Sequence, residues 1–154
     1  MANPSPAECV IWYLLQHNVV VMPGNTGWIA TIGQLPASPN ACVTAYDTGG
    51  STPNPLWLID YASVQVMIRT DVMGYQSGYA KAQEVKDTLL GVSAQAVYDS
   101  PNQVWWSGIT MMGDIAFIHY DDTQRAHFSL NFRIYQEQSK SVLSNRNPLD
   151  YTGL

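Results

Sequence analysis

Ala126-His127-Phe128-Ser129-Leu130-Asn131-Phe132-Arg133-Ile134-Tyr135-Gln136 is the stretch on which the fold turns. Phe128, Leu130, Phe132 and Ile134 alternate with Ser129, Asn131, Arg133 and Tyr135. A period of two places the first four on one face of a strand and the second four on the other. This is the longest strand the sequence predicts. Immediately before it, Asp121-Asp122-Thr123-Gln124-Arg125 reads as a turn, with Asp side chains suited to capping and solvating it. Further upstream, Ile115–Tyr120 and Gln103–Met112 read as strands around Gly113-Asp114. After it, residues 138–154 turn polar, with Pro148 and Gly153, and read as a tail that is free or ordered on a partner.

Toward the N-terminus the period changes. Tyr75, Tyr79, Ala82, Val85 and Leu89 recur at helical spacing and predict a helix from Gly74 to Leu90, with Lys81 and Glu84 paired on its wet side and Gly91 at its end. Ala62–Thr70 alternates again, Val64, Val66 and Ile68 against Gln65, Met67 and Arg69. The run Asp47-Thr48-Gly49-Gly50-Ser51-Thr52-Pro53-Asn54-Pro55 is predicted to be a long exposed loop, because Gly and Pro interrupt helix and strand alike. Ala41–Tyr46 and Trp28–Ile32 read as strands, with a loop at 35–40 between them. Val19–Met22 is a short segment stopped by Pro23-Gly24. The first element is a helix over Pro6–Gln16: Ser5 and Glu8 fit a capping box and Pro6 falls at the first helical position. Cys9 through Leu15 leave that helix almost no polar face. One side of it meets the core, and the other is predicted to be half exposed or to meet a second subunit through Trp12 and Tyr13.

The order helix, strands, helix, strands predicts an α+β fold: a mostly antiparallel sheet with two main helices packed on one face, as a single domain over residues 1–137. At 154 residues, such a domain buries a core without metal or disulfide staples.

Composition narrows the function. Only 12% of residues are charged against 46% hydrophobic, about half the usual charged share, which predicts a surface partly covered by other subunits. A net charge of −5 with no basic run argues against a direct grip on nucleic acid. No apolar run reaches the roughly 18 residues of a membrane helix. The start Met-Ala-Asn-Pro-Ser-Pro has no cationic segment ahead of its apolar stretch and does not read as a signal peptide. Cys9 and Cys42 are therefore expected as reduced, buried small hydrophobes.

Catalytic signatures are missing from the sequence: there is no phosphate-binding glycine loop and no nucleophile elbow. His17, His119 and His127 have no metal-binding company in sequence. His119 and His127 approach one another if their strands pair across the 121–125 turn, and with Asp121 they would then form a weak metal or acid–base site. Two histidines on a solvated hairpin is the plainer reading. Asp121 and Asp122 are adjacent and lack a second carboxylate across a cleft. Trp57, Trp105 and Trp106 read as core or interface rather than as a ligand groove.

Several pieces in this order resemble one known family. They are Cys42-Val43-Thr44-Ala45-Tyr46-Asp47-Thr48-Gly49-Gly50 followed by a Pro-rich loop, then Val64-Gln65-Val66-Met67-Ile68-Arg69, and a Tyr/Ala-rich helix ending in Leu89-Leu90-Gly91. The closing hairpin carries Asp121-Asp122-Thr123-Gln124-Arg125 and Phe128-Ser129-Leu130-Asn131-Phe132. Together, over about residues 5–137, they are similar to the tail-terminator and minor capsid proteins of tailed bacteriophages.

The resemblance implies a structural virion protein, assembled in the host cytoplasm, with no cofactor and no enzymatic activity. Such proteins form a ring, commonly hexameric, on the last ring of the tail tube. The ring stops polymerisation and offers a docking surface to the head-completion or neck protein. DNA passes through its lumen without specific binding. On this reading Trp12, Tyr13, Asp47, Gly49, Gly50, Pro53 and Pro55 are the candidate subunit and ring contacts, with the C-terminal tail. Two alternatives remain: another neck or connector protein of the virion, and a small-molecule-binding module or enzyme with its site near His119, His127 and Trp105.

Overall fold

The computed structural model describes residues 4–54, 59–98 and 103–137; Pro55, Trp57 and the polar tail 138–154 lie outside the described residues. The elements are α1 (Pro6–Gln16), β1 (Ile29–Ile32), β2 (Cys42–Asn54), β3 (Ile59–Val72), α2 (Tyr75–Leu90), β4 (Ser93–Tyr98), β5 (Val104–Met111), β6 (Ala116–Tyr120) and β7 (Arg125–Glu137). The strands form one sheet in the order β1-β2-β3-β7-β5-β4, with β6 also on β7. All pairings are antiparallel except β1 with β2. This is the α+β architecture the sequence predicts.

The alternation on β7 organises the core. Phe128, Leu130, Phe132 and Ile134 are fully buried, and their cross-strand partners Ile68, Val66, Val64 and Ala62 continue the row into β3. Val43 and Ala45 of β2 extend it by one more strand. Both helices pack against the sheet, α2 against β7, β3 and β5, and α1 against β1, β2, β3 and β4.

α1 starts as its sequence dictates. Ser5 Oγ accepts from the Glu8 amide at 3.2 Å and Glu8 Oε2 accepts from the Ser5 amide at 3.0 Å. Ala7, Cys9, Val10, Ile11, Tyr13 and Leu14 are buried. Strands from both ends of the sheet, β1 and β4, touch this helix, so the sheet curls around it. The chain itself thus covers much of the side expected to need a partner.

Three expectations are corrected. Over 47–54 the run is not a loop: β2 continues to Asn54 and pairs with β3 as far as Ile59. The glycines and the proline are absorbed by register shifts between Asp47 and Gly49 and between Ser51 and Asn54, so the strand survives as a bulged one. Gly50 is indispensable there: its φ is +114° and an added Cβ would lie 2.1 Å from the Tyr61 carbonyl oxygen. Second, β3 runs from Ile59 to Val72, longer than the predicted Ala62–Thr70, and β5 and β6 do not pair with each other across Gly113-Asp114. Both strands pair with β7 end to end, β5 along 132–137 and β6 along 126–129, so the glycine breaks one long margin rather than reversing it. Third, Tyr75 and Tyr79 are 41% and 39% exposed, and the buried stripe of α2 is Gly78, Ala82, Val85 and Leu89. β4 is a strand that the sequence reading missed.

Candidate functional site

The outer surface carries two apolar areas and one polar clamp. The clamp centres on Asp121. Its Oδ1 accepts from the Thr123 amide (3.0 Å), the Thr123 hydroxyl (2.9 Å) and the Arg125 amide (3.0 Å). Its Oδ2 accepts from Arg125 Nε (2.8 Å) and His127 Nε2 (2.9 Å). Burial alone would raise the Asp121 carboxyl pKa, but the hydrogen bonds from His127, the Arg125 backbone, Thr123 and the Arg125 guanidinium outweigh it and hold the group well below the usual carboxylate range.

Arg125 also reaches across to Ala37 O and Asn40 Oδ1, and Arg69 donates to Asn40 O and Pro39 O. The loop after β1 is thereby tied to the β6–β7 hairpin. His119 stacks on His127 with ring centroids 4.7 Å apart. The structure therefore brings His119, His127 and Asp121 together as the sequence suggested, but Asp121 is engaged on both oxygens by turn and arginine donors. No group of three or more His, Cys, Asp or Glu among the described residues could hold a metal ion.

The first apolar area is a cleft beside α1. Ile11, Trp12, Leu15, Met22, Ile32 and Tyr98 line one part of it. It continues past Met22, Ala30 and Ile32 to Pro36 as a space of about 620 Å³. Met22 and Ile32 are 55% and 45% exposed. The second area lies around β6, where every residue is exposed. Phe117 packs against Tyr75, Tyr120 and the buried Phe128, with centroids 5.2–5.6 Å apart, and Ile118 stands 49% exposed beside them.

Of the sequence candidates, Trp12 is half-buried at the cleft, its ring 5.4 Å from that of Tyr98. Tyr13 is buried: its hydroxyl accepts from Gln95 Nε2 and its ring lies 4.2 Å from His17. Asp47 Oδ1 accepts from the Ala7 amide at 2.9 Å, so it holds the N-terminus of α1, where a negative charge is favoured. Gly49, Gly50 and Pro53 lie on the exposed far half of β2. Trp106 is core, its indole N–H donating to Gln136, while Trp105 is half-buried on β5. Cys9 and Cys42 are both free and buried, and desolvation, then Glu8 and Asp47, pushes the Cys9 thiol up to about 12.

The sequence reading missed Met22, Ile32, Tyr98 and the whole β6 patch. One signal was present in β6: Phe117 and Ile118 are adjacent large apolar residues, where a strand with one wet face alternates apolar with polar; a register shift between Phe117 and His119 interrupts the alternation there.

Comparison with known proteins gives three results. No curated protein matches the chain. Among solved structures, the fold is similar to a chain described as "Virion of native gene transfer agent (GTA) particle", at 18% sequence identity and a TM-score of 0.46, covering 70% of this chain and 78% of that one. The profile of a family described as bacteriophage tail terminator protein matches residues 13–138. That span takes in the sheet, α2 and the closing hairpin, and the chain belongs to the bacteriophage tail terminator family.

Proposed function

We propose that this virion protein forms a ring that caps the phage tail tube, stops its polymerisation and offers the docking surface for the head-completion or neck protein. The observation that carries the reading is the family match over 13–138, which covers nearly all of the folded body. The surface suits it: two exposed apolar areas lie on a chain with little charge. In this reading the chain catalyses nothing, and the His119, His127 and Asp121 cluster is a clamp on a hairpin and a loop.

Axial contacts with neighbouring rings fall to one end of the sheet. Asn54 pairs with Ile59 and Ile59 with Glu137, so the last residues of β2 and β7 and the first of β3 lie at the same end of the sheet. Gly50, Pro53 and Pro55, with the tail, are the residues this assigns to the tube or the neck protein. The net charge of −5 suits a lumen that DNA traverses without sticking.

Electron microscopy of particles made with this gene disabled tests the reading. Overlong, headless tails of variable length are the expected result. Tails of normal length beside unjoined heads would move the protein to the head side of the neck, and normal infectious particles would end the assembly reading.

A further inference from the structure

The aromatic patch and the β1 wall of the cleft lie on opposite margins of the same part of the sheet, at the same level, and Tyr98 of β4 adds to the cleft from the other end of the curled sheet. Ala30 of β1 pairs with Val43, Val43 with Ile68, Ile68 with Phe128, and Phe128 with Phe117 of β6. One row thus runs across five strands, from the cleft to the aromatic patch, over about 19 Å at the usual strand spacing. No described strand pairs with the other edge of β6. On the β1 side, Val21 already exchanges hydrogen bonds with Trp28 and Ala30. A partner there meets side chains rather than extending the sheet.

We infer that the aromatic patch of one copy, Tyr75, Tyr79, Phe117, Ile118 and Tyr120, packs against the α1 cleft of the next copy, at Trp12, Leu15, Met22, Ile32 and Tyr98. The inference deepens the ring reading and rests on it for the number of copies.

Three observations select a second copy as the occupant. The first is area. Tyr75, Tyr79, Phe117 and Tyr120 are each 39–41% exposed and Ile118 49%; at about 200 Å² per aromatic side chain they present roughly 400 Å². That is the size of patch that marks an interaction site, and about half of what each partner of a stable interface buries. The second is form: one area is a cluster of exposed aromatic rings, and the other a cleft lined by apolar side chains. The third is position. Surfaces on opposite margins make a head-to-tail contact, and such a contact closes into a ring when it adds little rise. A shared row supplies that condition. Following the pairings across the sheet, β6 runs antiparallel to β1, so neighbouring copies in the same orientation meet antiparallel.

Sedimentation velocity on the full chain tests this. Met22→Asp and Ile118→Asp alter exposed residues and leave the core intact. Each is expected to weaken self-association at least ~10-fold. Mixed one to one, the two variants are expected to form dimers and nothing larger, because each keeps one intact surface. Wild-type association by Ile118→Asp, or no dimer in the mixture, overturns the inference. If the wild-type chain associates only on the tail, the readout becomes disulfide formation in assembled particles carrying both Met22→Cys and Ile118→Cys. A ladder of covalent multimers is then expected, and its absence overturns the inference. Dimers from Ile118→Cys alone would also overturn it, since they require the patch to meet itself. These results are independent of tail length in particles lacking the gene, so the contact and the terminator reading can fail separately.

Discussion

Replacing Asp121 by Asn keeps the shape of the turn and removes its charge. The Asn side chain still offers one oxygen to the Thr123 and Arg125 amides. Its NH2 group, however, then faces two donors, Arg125 Nε and His127 Nε2, which sit 2.8 and 2.9 Å from Oδ2 in the native chain. His127 is only 7% exposed, so water replaces the lost acceptor poorly. A donor left without a partner costs about 1–3 kcal/mol. Arg125 keeps Ala37 and Asn40 as partners, and the carboxylate is partly solvated, which lowers the charge contribution. The expected loss is about 1–3 kcal/mol at pH 7, read as a lower urea midpoint with unchanged slope.

The pH dependence gives the sharper check. The folded-state pKa of Asp121 is depressed. Its contribution is therefore fully present above about pH 4, the ordinary carboxylate value, and is lost as the pH falls below that toward the folded-state value. In that window one proton costs the wild type at most about 1.4 kcal/mol per pH unit, and solvent screening reduces this. The Asn variant has no such carboxylate, so the stability gap between the two chains must narrow from pH 5 to pH 3. A gap of the same size at both pH values refutes the assignment of Asp121 as an ionised hub. A difference below about 0.5 kcal/mol at pH 7 refutes the clamp altogether.

Two further substitutions test the packing around the proposed surfaces. Gly78→Ala raises helix propensity by about 1 kcal/mol, yet the added Cβ would lie 2.2 Å from Thr70 Cγ2 and 2.7 Å from Phe128 Cε2. The chain is expected to be destabilised by about 1–3 kcal/mol in urea unfolding, and a stabilised variant would show that α2 does not approach the sheet so closely. Asp47→Ala removes the acceptor of the Ala7 amide and is expected to cost about 0.5–2 kcal/mol; no loss in thermal unfolding would return Asp47 to the list of pure surface contacts.

Much of this architecture was legible because it rests on local signals. The capping box at Ser5 and Glu8 placed α1, and the alternation from Phe128 to Ile134 placed β7 and its buried face. The errors share a different cause. Gly49-Gly50 and Pro53 break a regular strand, but β3 holds the backbone through the bulges, and that long-range pairing leaves no mark on the local sequence. β5 and β6 share one margin of β7 on either side of Gly113, a placement that no local signal marks. Tyr75 and Tyr79 fit the helical stripe by spacing, yet it is Gly78 that meets Thr70 and Phe128, and the two tyrosine rings lie beside Phe128 while remaining exposed. Exposure of Phe117, Ile118 and Met22 is a property of where the sheet ends. Residue type alone cannot supply it.

The pairing of β3 with β7 has a consequence for the order of events during synthesis. These partners in the middle of the sheet are separated by the whole of α2, β4, β5 and β6, and pairings so distant in sequence form slowly. Until β7 has been made, β3 has no second neighbour for its apolar row, and β6 has no strand to rest on. The aromatic patch therefore does not exist on an unfinished chain. In the proposed contact a nascent subunit lacks one of the two surfaces, so only a completed, folded chain presents both.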